Sequence, residues 1–170
     1  HSKEKDDDLH KLFQIRKKKG WSIRKAWKML QEVSDGDLPK YILPVLYRPF
    51  DIRWIFYHDS LVWRTARKVM LHMLHENLGL VSARSNKSHD MDHFFCSTTI
   101  METKCGESTT QSCLFPLYLY PEGLFSQSGG KSDRKPNLAS AFLQALKDTY
   151  HRNSIPEGVL HYIYAVLYSP

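Results

Sequence analysis

The sequence contains few of the residues that hold small secreted proteins together. Its three cysteines, Cys96, Cys105 and Cys113, form no CxxC pair, so a disulfide framework is not expected and a reducing compartment is favoured. It has no signal-peptide pattern and no apolar run long enough to cross a bilayer. We therefore expect a soluble, cytoplasmic protein with no membrane partner.

The sequence also lacks the signatures of several catalytic sites. Methyl transfer would need a glycine-rich cofactor loop after a strand and an Asn/Asp-Pro-Pro-aromatic motif, and neither is present. The stretch GGKS at 129–132 is not a phosphate-binding loop, because Phe125 stands where that motif places its first glycine. These absences predict a chain that is not itself an enzyme, with no catalytic residues and no cofactor or metal of its own.

The composition is that of a folded domain with a moderate positive charge. The 170 residues are 42% hydrophobic, and 24 Lys plus Arg outnumber 18 Asp plus Glu for a net charge of +6. Such a chain can bury a real core, and its charge permits a polyanionic partner without requiring one. The chain begins at His1 without a methionine and ends at Pro170 after an apolar stretch, so we expect a piece of a longer protein.

Hydrophobic periodicity predicts alternating helices and strands. Residues 1–20 are expected to form a charged, partly helical lead-in, and residues 21–170 the main domain. Within that domain we expect a helix after Ser22, a strand at 51–57, a helix at 61–76, strands at 80–84, 93–102 and 112–121, and helices starting near Asn137 and Pro156. This order predicts an α+β fold with a mixed or mainly antiparallel sheet and a C-terminal helical pair.

The segment PFDIRWIFYHDSLVWRTARKVMLHM, residues 49–73, combines aromatic rings with arginines. Its predicted helix has a core-facing stripe at Val62, Ala66, Val69, Met70 and Met73. The opposite face carries Arg64, Arg67, Lys68, His72 and His75. Such a face suits DNA phosphates, with the rings bracing it from behind, although a solvated helix face is the plainer interpretation.

Other polar groups give weaker signals. The run Arg16–Lys19 and the loop at 126–137 are further phosphate candidates, although both patterns are also common on solvated surfaces. The stretch HDMDH at 89–93 contains permitted metal ligands, but a polar loop is favoured. Asp51, Glu102 and Lys104 offer a nuclease-like carboxylate and lysine set, a pattern that arises easily by chance.

Five segments, in order, resemble one known family: YRPFDIRWIFYHDSLVWRTARKVMLHM, NLGLVSAR, HFFCSTTIMET, FPLYLYP and PEGVLHYIYAVLYSP. Over residues 23–170 the chain is similar to the C-terminal target-recognition region of Type ISP restriction-modification enzymes and of related fused adenine-specific DNA methylase–helicase proteins. The resemblance implies a region that reads a short site in double-stranded DNA. It also implies that an adenine-N6 methyltransferase domain, which uses S-adenosylmethionine, precedes it in the same polypeptide. One departure is that Ser85 follows Arg84, where relatives often have glutamine.

The resemblance and the basic residues together give a set of DNA-binding candidates. Base readout is expected from Arg53, Arg84, Lys87 and Lys104. The full set of predicted DNA-binding residues is Arg48, Arg53, Arg64, Arg67, Lys68, Arg84, Lys87, Lys131, Arg134 and Lys135. Two alternatives remain open: a metal-dependent nuclease domain, and a module that couples domains of the same enzyme without binding DNA.

Overall fold

The computed structural model describes residues 2–83, 85, 94–121, 134–151, 153 and 155–169. For residues 2–6 it describes the backbone only. The helices are α1 (Ser2–Leu12), α2 (Ile23–Glu32), α3 (Arg67–Met70), α4 (Ser140–Tyr150) and α5 (Pro156–Leu167), with 3₁₀ turns at Leu38–Tyr41 and Leu71–Leu74. The strands are β1 (Ile42–Arg48), β2 (Asp51–Phe56), β3 (Gly79–Ala83), β4 (Phe94–Ser97), β5 (Ile100–Met101), β6 (Ser112–Pro116), β7 (Tyr118–Leu119) and β8 (Lys135–Pro136). The predicted α+β class and C-terminal helical pair are confirmed.

The chain forms two compact units. The first comprises His1–Pro44 and Trp54–Ala66, and the second comprises Val45–Arg53 and Arg67–Pro170. The hairpin of β1 and β2 therefore contributes its outer ends to the first unit and its tip to the second. The predicted division at residue 20 is not tested by this arrangement and stays a prediction.

The first unit is small and held by local contacts. Ala26 and Met29 are the buried residues of α2, and Ser22 stands at its N-cap as predicted. His10 is buried, and its Nδ1 lies 2.9 Å from the Ile15 carbonyl oxygen. The Tyr41 and Phe56 rings stack with their centroids 5.4 Å apart. The His10 and Trp21 rings meet edge to face at a centroid distance of 5.9 Å, and this contact joins the lead-in to the residues that follow it.

The second unit contains the larger core. Its antiparallel sheet has the order β4-β3-β6, and the central residue Val81 faces Phe95 on one side and Leu114 on the other. Val81 is fully buried. A second sheet has the order β2-β1-β5, in which β1 and β5 run parallel through Val45 opposite Ile100. Both sheets together match the expected mixed, mainly antiparallel pairing.

Asn77, which lies two residues before β3, links the 3₁₀ turn at Leu71–Leu74 to β7. Its amide nitrogen donates to the carbonyl oxygens of His72 (3.0 Å) and Tyr118 (2.8 Å). Its Oδ1 accepts from the backbone N–H groups of Leu78 (2.9 Å) and Tyr118 (3.2 Å). One buried side chain therefore satisfies four backbone groups, which is what burial of such groups requires.

Three predicted elements are wrong in extent. The helix expected at 61–76 begins only at Arg67 and continues after Met70 as a 3₁₀ turn, because Arg64 and Ala66 adopt left-handed φ values of 62° and 48° that no right-handed helix accepts. The strand expected at 93–102 divides into β4 and β5, which join different sheets, and the strand expected at 112–121 divides into β6 and β7. In addition, the N-cap of α4 is Ala139 rather than Asn137.

The exposure of the aromatic segment also differs from expectation. Trp54 is 71% exposed and Ile52 is 52% exposed, so these side chains do not brace a basic surface from behind. The last helix buries Val159 and Leu160 but leaves Ile163 and Val166 partly open. In the part of the chain that the structure describes, no helix is long and apolar enough to span a membrane.

Candidate nucleic-acid interface

Two arginines meet one aromatic ring at the hairpin tip, which we define as residues 47–53. The guanidinium carbon of Arg48 lies 4.1 Å from the centroid of the Tyr47 ring, and that of Arg53 lies 3.9 Å from it. Contacts of this length between a cation and a ring face are attractive. Arg48 ends β1 and Arg53 lies two residues into β2, so the turn carries an arginine on each side.

Each of these arginines is also held by a carboxylate. Arg48 Nη1 donates to Glu102 Oε2 at 2.7 Å, and Arg53 donates to Asp51 Oδ2 from Nε at 3.0 Å and from Nη2 at 2.9 Å. The hydrogen bonds to Asp51 are the main reason that the pKa of Arg53 is raised above its ordinary value. The hairpin tip is therefore a set of oriented, charge-matched arginines rather than a bare positive patch.

The geometry of Arg53 leaves part of its guanidinium open. Asp51 occupies the Nε and Nη2 edge, and Nη1 has no hydrogen-bond partner among the described residues. The side chain is 58% exposed. An arginine fixed along one edge retains donors along the other, which suits acceptors such as phosphate oxygens or guanine N7 and O6.

A second group of cations gathers at Trp63 in the first unit. Arg64 stacks on the Trp63 ring at 4.3 Å, Lys18 Nζ lies 4.7 Å from the same ring, and Trp63 Nε1 donates to the Lys19 carbonyl at 3.2 Å. We call Lys18, Trp63 and Arg64 the Trp63 cluster. The sequence interpretation found Arg64 and the basic run separately but missed Trp63, whose only signal was its position directly before Arg64.

The predicted basic face is wrong as a feature of one helix. Arg64 lies before the helix, whereas Arg67 and the exposed Lys68 lie on the four-residue α3. His72 accepts the Tyr120 backbone N–H through Nδ1 at 3.0 Å, and His75 stacks on the Tyr120 ring at 4.4 Å. The two histidines thus support the fold of the second unit instead of extending a basic stripe.

The remaining candidates differ in accessibility. Arg134 is mostly covered, since its guanidinium stacks on the Tyr118 ring at 3.7 Å and lies 3.8 Å from Glu157 Oε1. A hydrogen bond with Tyr120 is the main cause that raises the pKa of Arg134. Lys104 and Lys135 are exposed. The predicted residues Arg84, Lys87 and Lys131, and the stretch 89–93, lie outside the described residues.

The carboxylates of the nuclease alternative are engaged elsewhere. Asp51 binds Arg53, while Glu102 Oε2 accepts from Arg48 and from the backbone N–H of Lys104 at 2.8 Å. Over the described ranges, no group of three or more His, Cys, Asp or Glu side chains is placed to hold a metal ion. The geometry of these residues therefore offers that alternative no specific support.

Comparison with known proteins points to one family. The family model of the Type ISP C-terminal specificity domain matches residues 1–170 of this chain. A similar solved structure is a cryo-EM structure of a DrdV–DNA complex, with a TM-score of 0.59 and 25% sequence identity. The match covers 76% of this chain but 12% of that chain, so this chain corresponds to a small part of the longer relative. A search of curated proteins finds no match.

Proposed function

Because the chain belongs to the Type ISP C-terminal specificity domain family, we propose that it recognises a short target site in double-stranded DNA on behalf of a restriction enzyme. The observation that carries this proposal is the pairing of cations with aromatic rings on exposed surfaces, at the hairpin tip and at the Trp63 cluster. The similar DrdV chain is itself in complex with DNA. Guanidinium groups that are held in a fixed orientation beside aromatic rings are suited to hydrogen bonds with DNA phosphates and base edges.

The candidate residues divide into two roles. Phosphate contacts are assigned to Lys18 and Arg64 of the Trp63 cluster and to Lys68 and Lys135 of the predicted DNA-binding set, which are exposed. Base readout is assigned to Arg53 through its open Nη1 edge, with Lys104 as a further candidate. Arg84 and Lys87 keep their sequence-based assignment to base readout.

The wider context is part of the proposal. We place this chain in a longer cytoplasmic polypeptide whose adenine-N6 methyltransferase domain uses S-adenosylmethionine, and this chain positions the methyltransferase on its target site. The resemblance to fused methylase–helicase proteins adds a helicase to this proposed context. The resemblance to adenine-specific methylases supports that context, and the small share of the DrdV chain that is covered fits a module within a larger enzyme.

The salt dependence of duplex binding tests the phosphate contacts. We expect the chain to bind a 20-base-pair duplex with an affinity that falls as salt rises, because cations that meet phosphates release counterions. Arg64→Gln with Lys68→Gln should lower the magnitude of the log–log salt slope by about 2, at roughly 0.9 per phosphate contact. The charge-matched control Lys25→Gln with Lys147→Gln should keep the wild-type slope. An equal loss of slope in both double variants would show that net charge, not these positions, drives binding.

A second function is favoured by one specific observation. None of the residues of α4 is buried, and Phe142, Tyr150 and Tyr162 are 45%, 62% and 72% exposed. Apolar side chains gathered on a helical pair are typical of a surface that another domain covers, so this pair is a candidate for coupling to the rest of the enzyme. If coupling is the sole function, the isolated chain will show no salt-dependent affinity for duplex DNA.

A further inference from the structure

The turn at the hairpin tip has a backbone that its sequence does not suit. β1 ends at Arg48 and β2 begins at Asp51, so Pro49 and Phe50 form a two-residue turn. Proline fits the first position of such a turn, but Phe50 adopts a φ of 62°, which turns of this kind normally assign to glycine or asparagine. A bulky residue in the left-handed region is strained, and strain of this sort concentrates at functional sites.

The side chain that this strain holds in place gains almost nothing from the fold. Phe50 is 96% exposed. Its ring meets the Phe95 ring edge to face at a centroid distance of 6.4 Å. In β1, the strand that leads into this turn, Val45 and Leu46 are buried. The hairpin therefore presents a phenyl ring to solvent at a position where glycine would be easier to accommodate.

The surroundings of this ring are suited to a flat partner with negative charge nearby. Beside Phe50 lies a cavity of about 350 Å³ whose lining includes Ile52, Phe95 and Tyr164 together with the hydroxyl residues Ser97, Thr98 and Thr99. Arg48 and Arg53 flank the turn and are held in position on the Tyr47 ring. Rings with oriented guanidinium groups beside them match the aromatic bases and phosphates of nucleic acid better than an aliphatic protein surface.

We propose that Phe50 stacks on the face of a nucleobase in the bound duplex and opens the base stack at that step. The inference rests on the proposed function and adds the contact by which the hairpin tip engages DNA. Apolar side chains that enter a base step unstack it and recover the cost through the contacts that the opened duplex permits. Arg48 and Arg53 then lie beside the opened step, where Arg53 keeps its open Nη1 edge for a base.

The test uses a duplex selected by the wild-type chain from a randomised pool, with 2-aminopurine placed at each position in turn. The fluorescence of this base rises when it is unstacked. Wild-type chain and Phe50→Tyr, which keeps a ring, should raise the fluorescence at one step. Phe50→Gly should abolish the rise and weaken binding by roughly 5- to 150-fold, the range of alanine substitutions at stacking residues. The control Trp27→Ala, which removes a ring that is 64% exposed on α2, should behave as wild type.

The outcomes separate the inference from the function on which it rests. If the pool yields no selected duplex, the proposed function fails and the inference fails with it. If a duplex is selected but Phe50→Gly binds it as tightly as wild type, or no position responds, the stacking contact is refuted while DNA recognition stands. The melting temperature of Phe50→Gly should equal or exceed that of wild type, since glycine relieves the left-handed strain. Phe50→Asn, which also tolerates this φ, provides a second variant should the first fail to fold.

Discussion

Replacement of Asn77 should remove one of the main polar anchors of the second unit. Asn77 is 7% exposed, and its amide satisfies four backbone groups at distances of 2.8–3.2 Å. Asn77→Ala leaves two N–H groups and two carbonyl groups without this partner. A typical buried hydrogen bond contributes about 1 kcal/mol net, and an unsatisfied group costs more, so we expect a loss of about 4 kcal/mol in the free energy of unfolding.

Urea denaturation followed by far-UV circular dichroism measures this loss. The midpoint should fall while the slope m stays constant, because the surface exposed on unfolding is unchanged. Gln144→Ala is the matched control, since Gln144 is an exposed amide that donates to Asp148 at 2.8 Å on α4. It should change stability by less than about 0.5 kcal/mol. A loss below about 1 kcal/mol for Asn77→Ala would refute the role of the amide as an anchor.

Three further predictions concern the same unit. Gly79→Ala places a Cβ 2.7 Å from the Leu114 side chain, so it should lower the free energy of unfolding by about 1–3 kcal/mol through overpacking; an unchanged urea midpoint would contradict this. The hydrogen bond from Tyr118 lowers the pKa of Glu157. A carboxyl group with a lowered pKa stabilises the fold at pH values above its ordinary pKa, and this stabilisation is lost as the pH falls through the lowered pKa. The stability difference between wild type and Tyr118→Phe should therefore shrink on acidification from pH 7, and a constant difference would count against the pair. Cys105 is 1% exposed and its pKa is raised mainly by burial, so it should resist Ellman's reagent until the chain unfolds, and rapid native labelling would disprove that burial.

The sequence predicted the elements that depend on local periodicity. The helix after Ser22 and the C-terminal helices follow the 3.6-residue spacing of apolar side chains, and the strand at 51–57 follows the two-residue alternation. What periodicity does not encode is the backbone at single positions. The left-handed conformations of Arg64 and Ala66 delay the start of the helix expected at 61–76 by six residues, to Arg67. No glycine or proline marks this break in the sequence.

Arg48, Arg53 and Arg64 of the candidate interface were predicted from the sequence, but Trp63 and the grouping of these residues were not. Arg48 meets Glu102 across 54 positions of sequence, and Trp63 Nε1 meets the Lys19 carbonyl across 44. Contacts of this separation arise from tertiary packing, which a pattern along the chain does not report. The single helix expected to carry the basic face is not formed, although Arg53 and Arg64 do lie on exposed surfaces beside rings.

Selection of DNA by the isolated chain tests the central claim most directly. A pool of duplexes with a randomised core would be incubated with the chain, and the bound fraction would be sequenced over several rounds at near-physiological salt. Recognition of a target site predicts that one short motif is enriched and that Arg53→Ala relaxes the preference at a defined position within it. Sequences recovered without any common motif, in wild type as in the variant, would contradict the claim that this chain reads DNA.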